Sequence, residues 1–459
     1  VESWCDCLWE ERMKRSLMRI MLLGGQMLKA EVQDEVDVSR GEGVIEAVAL
    51  EHSVKGSSAC EFDGLEDVDS VYLDAIKMDF SSVYLDGEKV NFNNNNNSIS
   101  IKHDLEKGSS HILAMDFVAK PKQTVYFLGW DDAVEGNEQI WTQGQGKYTS
   151  HWLPSLDDMI DKVEFDLSLV FRNDYTVISN GKLIGKEEIS GETNWKFDMQ
   201  KPMSSYLVGF AIGDFNKREL KSSSGVPIEL YYEPKDSLKV EPTYRYTQHI
   251  FDFLEKEIGV PYPWQNYKQV PVQDFLYAGM ENTTCTIFSN QYVIDSTAFV
   301  DKNYVNVNAH ELAHQWFGDL VTETSSEHHW LHEGFATYYA LLAERELFGD
   351  DYYYWKLFQS ANNLMTLSEQ GKGQSLLDPE ASSLIFYEKG AWALHMLRER
   401  IGTASFSAAV KSYLIKHQFK NVNTAHFIAE IKAHTKIDVS TWEKDWLQQT
   451  AFKSSQAYN

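Results

Sequence analysis

The N-terminal half of the chain alternates apolar and polar residues in short runs. From Val163 to Phe171 apolar side chains stand at every second position, which is the period of a strand with one buried face. Another run of this kind begins near Val68, and turn-forming residues separate the runs. The pattern predicts an all-β domain, which we place at residues 61–222.

After Thr243 the apolar period becomes helical. The segment YTQHIFDFLEKEIG places Ile250, Phe251 and Leu254 on one face and ends at Gly259, a residue typical of helix C-caps. The C-terminal part is therefore predicted to be mainly helical. The same spacing predicts further helices over residues 354–366, 390–400, 404–417 and 424–434.

Residues 1–60 show no pattern that predicts a fold. The run MKRSLMRIMLLGG begins at Met13 and is basic and apolar, but Arg19 interrupts it and no small-residue cleavage site follows. A degenerate leader, a divergent start of the β domain and a misassigned stretch of sequence all stay open for this segment.

Two histidines, four residues apart, are the main chemical signal of the chain. His310 and His314 in NAHELAHQW lie one helical turn apart, so both imidazoles can reach a single metal ion. Glu311 between them can accept a proton from a metal-bound water. Glu333 in WLHEGFATYY follows on a second predicted helix. Two histidines and one carboxylate with an open fourth position are the pattern of a catalytic zinc site.

A surface helix with two solvated histidines is the alternative interpretation of this segment. Leu312, Ala313 and Trp316 make the helix apolar, which predicts that the histidines lie in a buried cleft, where unpaired imidazoles are unfavourable. Glu333 also lies within an apolar helical run, and a buried carboxylate needs a metal or a positive partner. We therefore favour the metal site.

Composition narrows the class of protein further. The formal charge is 42 − 68 = −26, which disfavours binding to nucleic acid, and no apolar run approaches the eighteen residues of a membrane span. At 459 residues the chain has room for two or three domains. These features predict a soluble enzyme, either cytoplasmic or exported. The cysteines lack zinc-knuckle spacing and stand at positions 5, 7, 60 and 285.

Several stretches, in order, resemble the gluzincin aminopeptidases, the family that contains aminopeptidase N and leukotriene hydrolase. The resemblance runs from about Asp67 to Gln449. It implies a saddle-like all-β domain followed by a thermolysin-like α+β catalytic domain at residues 223–459, with TIFS at Thr286 as an edge strand of its small sheet. The matching stretches are TQGQ at 142–145, AGMEN at 278–282, HELAHQWFGD at 310–319, WLHEGFA at 330–336 and YEKGA at 387–391.

The resemblance also implies roles for individual residues. His310, His314 and Glu333 hold one zinc ion per chain, and Glu311 is the general base. Tyr387 donates a hydrogen bond to the oxyanion of the tetrahedral intermediate. Apart from the resemblance, Asp319 is a candidate acceptor that orients a zinc-bound imidazole, with a helix-terminal carboxylate as the alternative interpretation.

Substrate recognition is implied by the same motifs. The resemblance implies that the carboxylate of Glu281 and the amide of Gln145 contact the free α-ammonium of a peptide. It also implies that backbone groups of Gly279 and Met280 line the substrate carbonyl. Ala278 stands where the motif usually has its first glycine, which leaves only the geometry of the turn open. The implied substrate-binding residues are Gln145, Gly279, Met280, Glu281 and Asn282.

These features predict a zinc-dependent aminopeptidase that removes the N-terminal residue of peptides with a free N-terminus. A thermolysin-like endopeptidase is one alternative. An epoxide hydrolase of the leukotriene hydrolase type is another, but Pro379 and Ser382 stand where that branch has an acid and a second tyrosine. A catalytically silent scaffold is disfavoured because the ligands, base and tyrosine are retained together. Many members continue into a helical domain, so a two-domain member and a fragment both stay open.

Overall fold

The structure, a computed structural model, describes residues 36–132, 134 and 136–452. The basic run from Met13 lies outside the described residues, as do Cys5 and Cys7. Cys60 and Cys285, which are among the described residues, are both buried free thiols.

Strands dominate the first half of the described residues. In chain order they are β1 (Val36–Val48), β2 (Ser53–Gly64), β3 (Val68–Asp74), β4 (Met78–Leu85), β5 (Glu88–Lys89), β6 (Asn93–Asn94), β7 (Ser98–Leu105), β8 (Ser110–Ala119), β9 (Val125–Leu128), β10 (Gln139–Thr142), β11 (Glu164–Arg172), β12 (Thr176–Ser179), β13 (Lys182–Ile189), β14 (Glu192–Asp198), β15 (Phe210–Gly213), β16 (Asn216–Lys221), β17 (Pro227–Tyr232), β18 (Tyr267–Val272), β19 (Gly279–Met280), β20 (Cys285–Ser289), β21 (Val321–Glu323) and β22 (Lys420–Val422).

Helices dominate the second half. They are α1 (Val240–Tyr244), α2 (Thr247–Ile258), α3 (Val305–His314), α4 (Trp330–Phe348), α5 (Asp350–Glu369), α6 (Gly390–Ile401), α7 (Thr403–His417), α8 (Thr424–His434) and α9 (Ser440–Trp442), with π-helical segments at Ile385–Lys389 and Glu443–Gln448. The predicted C-cap at Gly259 is confirmed, with φ of 74° after α2. Within the described residues, none of the helices combines the length and apolarity that a membrane crossing requires.

An eight-stranded sheet, ordered β13-β14-β11-β1-β2-β8-β4-β5, is the largest element of the β half. The predicted strand from Val163 to Phe171 is confirmed as β11, with Phe165, Leu167 and Leu169 buried. Sheets of four strands (β12-β15-β10-β9) and three strands (β3-β7-β6) complete this half, and their apolar side chains join one continuous core.

β1 and most of β2 lie within the first 60 residues, for which the sequence predicted no fold. In β1, glycines occupy positions where apolar side chains would otherwise mark the buried face. Gly41 and Gly43 occupy buried positions of β1. A Cβ atom at either glycine would lie 3.2 Å from the side chain of Phe165 or Leu167, respectively, on the parallel neighbour β11. Since large side chains of β11 fill this layer, β1 lacks the apolar alternation that would reveal it.

A five-stranded sheet, ordered β16-β17-β18-β20-β19, begins the catalytic half. The predicted boundary at residues 222–223 falls in the turn between β16 and β17, which pair in this sheet. The predicted edge strand at Thr286 is wrong, because β20 is fully buried and lies between β18 and β19. The edge is instead β19, which carries part of the AGMEN stretch.

Candidate metal and catalytic site

Three side chains from two packed helices meet at one point. The Nε2 atoms of His310 and His314 are 3.0 Å apart, and Glu333 Oε2 lies 3.1 Å from the first and 3.2 Å from the second. Ligand atoms placed about 2.0–2.1 Å from a tetrahedral zinc lie about 3.3 Å from one another. Two imidazoles and a carboxylate at this spacing fit zinc, so the structure brings the predicted ligands together.

Local structure fixes the orientation of these candidate ligands. The histidines are four residues apart on α3, whereas Glu333 is in the first turn of α4. His314 Nδ1 donates to the backbone oxygen of Phe317 at 2.9 Å, which leaves Nε2 free to bind a metal. The sequence suggested Asp319 as the acceptor for a metal-binding imidazole, but His314 donates to Phe317 instead. Asp319 is fully buried near Lys162, whose ammonium donates to the Asp319 backbone oxygen.

Glu333 is ionised in this setting. Burial alone raises the pKa of its carboxyl group, but the charge of His314 and hydrogen bonds from both ligand histidines outweigh burial. The net result is a pKa well below the usual range. A bound metal cation would take the place of the charge on His314, which must be neutral to act as a ligand, and would likewise keep the Glu333 carboxylate deprotonated.

Glu311, the predicted general base, lies beside the metal ligands. Its carboxylate, that of Glu281 and the imidazole of His314 have ligand atoms within 4.8 Å of one another. Burial raises the pKa of Glu311 well above its ordinary value despite the nearby His314. Its position beside these groups allows the carboxylate to take a proton from a metal-bound water, as a general base must.

A glycine on the edge strand permits the close approach of this base. A Cβ atom on Gly279 would lie 2.5 Å from Glu311 Oε1 and 2.7 Å from its Cγ, closer than real contacts allow. Ala278 before it has no positive φ, so replacing the usual first glycine there leaves the turn unstrained. The backbone of β19 therefore lies directly against the base.

Tyr387 lies beside the histidine pair. Its ring is parallel to that of His310, with centroids 5.4 Å apart. Tyr387 belongs to the π-helical segment that ends at Lys389, and the Lys389 ammonium donates to the backbone oxygens of Gln374 (2.8 Å) and Gln449 (2.5 Å). Burial, and then the charge of Glu333, raise the pKa of Tyr387 well above its ordinary value. The phenol therefore stays protonated and can donate.

The predicted substrate-binding residues are held by contacts between the two halves of the chain. Glu281 is 6% exposed, and burial raises the pKa of its carboxyl group. Gln143 Nε2 contacts Met280 Sδ at 3.4 Å, and its Oε1 accepts from the backbone N–H of Gln145 at 2.5 Å. Asn282 donates to the backbone oxygen of Leu207 at 3.1 Å. Hydrogen bonds thus connect Gln145 to the site through Gln143 rather than directly to Glu281.

Sequence reasoning missed two features of the site. Asn180 donates to Leu207 O (3.0 Å) and Thr283 O (2.7 Å), and so ties the β half to the chain just after Glu281. Only the fold brings these residues together.

The second feature is a buried group beside Glu333 that consists of Glu323, His329 and His332. The histidine-rich stretch EHHWLHE was the available sequence signal for this group.

The two halves of the chain match two family models. Residues 243–446 match the Peptidase family M1 domain, and residues 35–207 match the Peptidase M1 N-terminal domain. The chain belongs to peptidase family M1. This confirms the predicted membership of the gluzincin aminopeptidase family and places the metal group and Tyr387 within the M1 peptidase domain.

Similar proteins include aminopeptidases. Glutamyl aminopeptidase of Homo sapiens is 26% identical over 317 residues, which are 65% of this chain and 33% of that protein. Leucyl aminopeptidase of Saccharolobus solfataricus is 26% identical over 400 residues, which are 84% of this chain and 50% of that protein. The chain therefore spans about a third to a half of the length of these relatives.

Solved structures share the fold. A crystal structure of the M1 zinc metallopeptidase from Deinococcus radiodurans has a TM-score of 0.78 at 20% identity, and the match covers 92% of this chain and 95% of that one. A mutant of that enzyme bound to a Tyr-Ser-Ala substrate has a TM-score of 0.77, with coverages of 92% and 96%. The predicted fold, an all-β domain followed by a thermolysin-like catalytic domain, is confirmed.

Proposed function

We propose that this M1 chain is a zinc-dependent aminopeptidase that removes the N-terminal residue of peptides. The observation that carries the proposal is the triangle of His310, His314 and Glu333 with Glu311 and Glu281 beside it. The three triangle residues would hold one zinc ion per chain. Zinc bound there would polarise the scissile carbonyl and lower the pKa of a coordinated water to near neutrality.

Glu311 moves the proton in the proposed reaction. Its carboxylate accepts a proton from the attacking water and passes it to the leaving amine. The nearby backbone of Gly279 holds this side chain on the side of the site where Glu281 lies.

Tyr387 stabilises the developing oxyanion. A donor that is aimed at this oxygen is most useful when it engages mainly in the transition state. The raised pKa of Tyr387 keeps its proton in place at neutral pH, so the residue acts as a hydrogen-bond donor and not as a base.

Glu281 gives the reaction its exopeptidase character. Its buried carboxylate, which lies near the carboxylates of Glu311 and Glu333, attracts the ammonium of a free N-terminus. An ammonium paired with Glu281 places the first peptide bond beside Glu311, and Gln145 assists from the neighbouring loop. An acetylated N-terminus lacks the charge and adds volume at the same place.

We expect wild-type protein to cleave amino-acid anilides with a free amine and scarcely to cleave their N-acetylated forms. The reason is that only the free amine supplies a cation for the buried carboxylate of Glu281. The measurement compares kcat/KM for both forms, with and without a zinc chelator. Equal cleavage of the two forms would replace this proposal with a thermolysin-like endopeptidase, and activity that the chelator does not reduce would exclude zinc.

Glu281→Ala should lower kcat/KM for free-amine substrates by about ten- to a hundredfold, since a charge-assisted pair contributes roughly 1.5–3 kcal/mol. Zinc content should be unchanged, and the ratio of kcat/KM for free-amine substrates to that for N-acetylated substrates should become smaller. Glu327→Ala is the matched control, because it removes an exposed carboxylate from the turn before α4. An equal loss in the control would show that general charge, not the pair with Glu281, sets the preference.

A further inference from the structure

A buried carboxylate lies behind the metal ligands. Glu323, the last residue of β21, has a side chain that is 2% exposed. Its Oε1 lies 3.0 Å and its Oε2 3.2 Å from Nδ1 of His329, so the imidazole donates to this carboxylate. A buried carboxylate needs a hydrogen-bonded or positive partner, and His329 provides it.

The other ring nitrogen of His329 faces a metal ligand. His329 Nε2 lies 3.6 Å from Glu333 Oε1, while Glu333 Oε2 faces His310 and His314. The two oxygens of Glu333 are thus divided between His329 on one side and the metal position on the other. The imidazole of His329 lies between two carboxylates, with one nitrogen directed to each.

His332 completes the surroundings of Glu323 but does not make this group a second metal site. Its Nε2 accepts from the backbone N–H of Glu323 at 2.8 Å. Nδ1 of a neutral imidazole bonded in this way carries the proton, and it lies 3.7 Å from Glu323 Oε2. A nitrogen that carries a proton cannot bind a metal, so His332 supports Glu323 as a neutral neighbour.

We propose that His329, held by Glu323, is a positioning residue for the metal ligand Glu333. The imidazole of His329, fixed by Glu323, lies against the Oε1 side of the Glu333 carboxylate and so keeps Oε2 directed at the two histidines. Residues that orient metal ligands in this way typically change metal affinity by about 10- to 100-fold when they are replaced. This inference rests on the proposed zinc site, but it concerns affinity for zinc and can be tested without any peptide substrate.

Three substitutions of His329 separate its two contacts. Asn places a donor near the position of Nδ1, Gln places one near Nε2, and Leu removes both. The dissociation constant of zinc would be measured on the full chain by competition with a chelator of known affinity. We expect roughly 10- to 100-fold weaker binding in His329→Leu and His329→Asn. His329→Gln should recover part of the loss.

Two further variants show whether the effect is specific. His328→Leu is the matched control, because His328 is adjacent but contacts Thr424 Oγ1 instead of Glu333, and its zinc affinity should equal that of the wild type. Glu323→Gln should weaken zinc binding, and adding it to His329→Leu should cause little further loss, since both act through one contact. The thermal stability of the zinc-free variants shows whether folding is affected.

Four results would overturn the proposal. They are wild-type affinity in His329→Leu, an equal loss in His328→Leu, binding by His329→Gln that is as weak as that of His329→Asn, and a second zinc in the wild type that Glu323→Gln removes. A wild type that binds one zinc but cleaves no free-amine anilide would refute the proposed function. The positioning role of His329 would still be decided by the affinities.

Discussion

Glu311→Gln should reduce kcat by roughly a hundredfold or more, the usual range for losing a general base, while zinc content stays at the wild-type level. Glutamine has nearly the same shape as glutamate, so it fits against Gly279 without a clash. Its amide cannot accept a proton at neutral pH, so only the proton transfer is removed. The measurement pairs kcat and KM on a free-amine anilide with zinc analysis of the same sample.

Glu344→Gln is a suitable control for this substitution. Glu344 is also a buried glutamate, 2% exposed, but it is bonded to Asn306 and Tyr352 on the far part of α4. We expect this variant to retain near wild-type kcat. A normal kcat with a large rise in KM for Glu311→Gln would assign Glu311 to ground-state binding instead of proton transfer.

Much of the fold was predictable because its signals are local. The alternation in β11 and the helical spacing that ends at Gly259 each depend on residues a few positions apart. The metal ligands follow from the same kind of signal, since residues four apart on a helix share a face. His310 and His314 could therefore be paired from sequence alone, and Glu333 was added because a buried carboxylate needs a partner.

The missed elements depend on contacts between distant parts of the chain. β1 pairs in parallel with β11, more than 100 residues later, and its glycines make room for the large side chains of that strand. The position of β20 inside its sheet depends on β19 folding back against it. Neither arrangement leaves a periodic pattern within the strand itself.

The candidate site likewise contains residues that local spacing predicts and residues that only the tertiary fold brings together. The prediction that Asp319 orients His314 was wrong because, in the turn after α3, the backbone oxygen of Phe317 accepts the hydrogen bond from His314 Nδ1. Glu323 and His329 are only six residues apart, but they meet because β21 and the start of α4 fold onto each other. Sequence spacing predicts which residues can bind the metal, whereas the tertiary fold decides which residues orient them.

Glu333→Ala should remove most of the zinc and with it nearly all activity. Wild type should contain about one zinc per chain, as a site with three protein ligands predicts. The substitution leaves two neutral imidazoles without the anionic ligand that contacts both Nε2 atoms. The substitution also removes the carboxylate that His329 is proposed to orient. Zinc would be measured by elemental analysis after dialysis against a weak chelator.

The control for metal loss is Glu346→Ala, which removes an exposed carboxylate from the same helix. Its zinc content and activity should match the wild type. Glu333→Gln separates charge from shape, because the amide keeps the size of the side chain but supplies no negative charge. We expect it to bind zinc weakly as well, since a charged oxygen is the stronger ligand for a divalent cation. Full zinc occupancy in Glu333→Ala would show that the third ligand is a different residue.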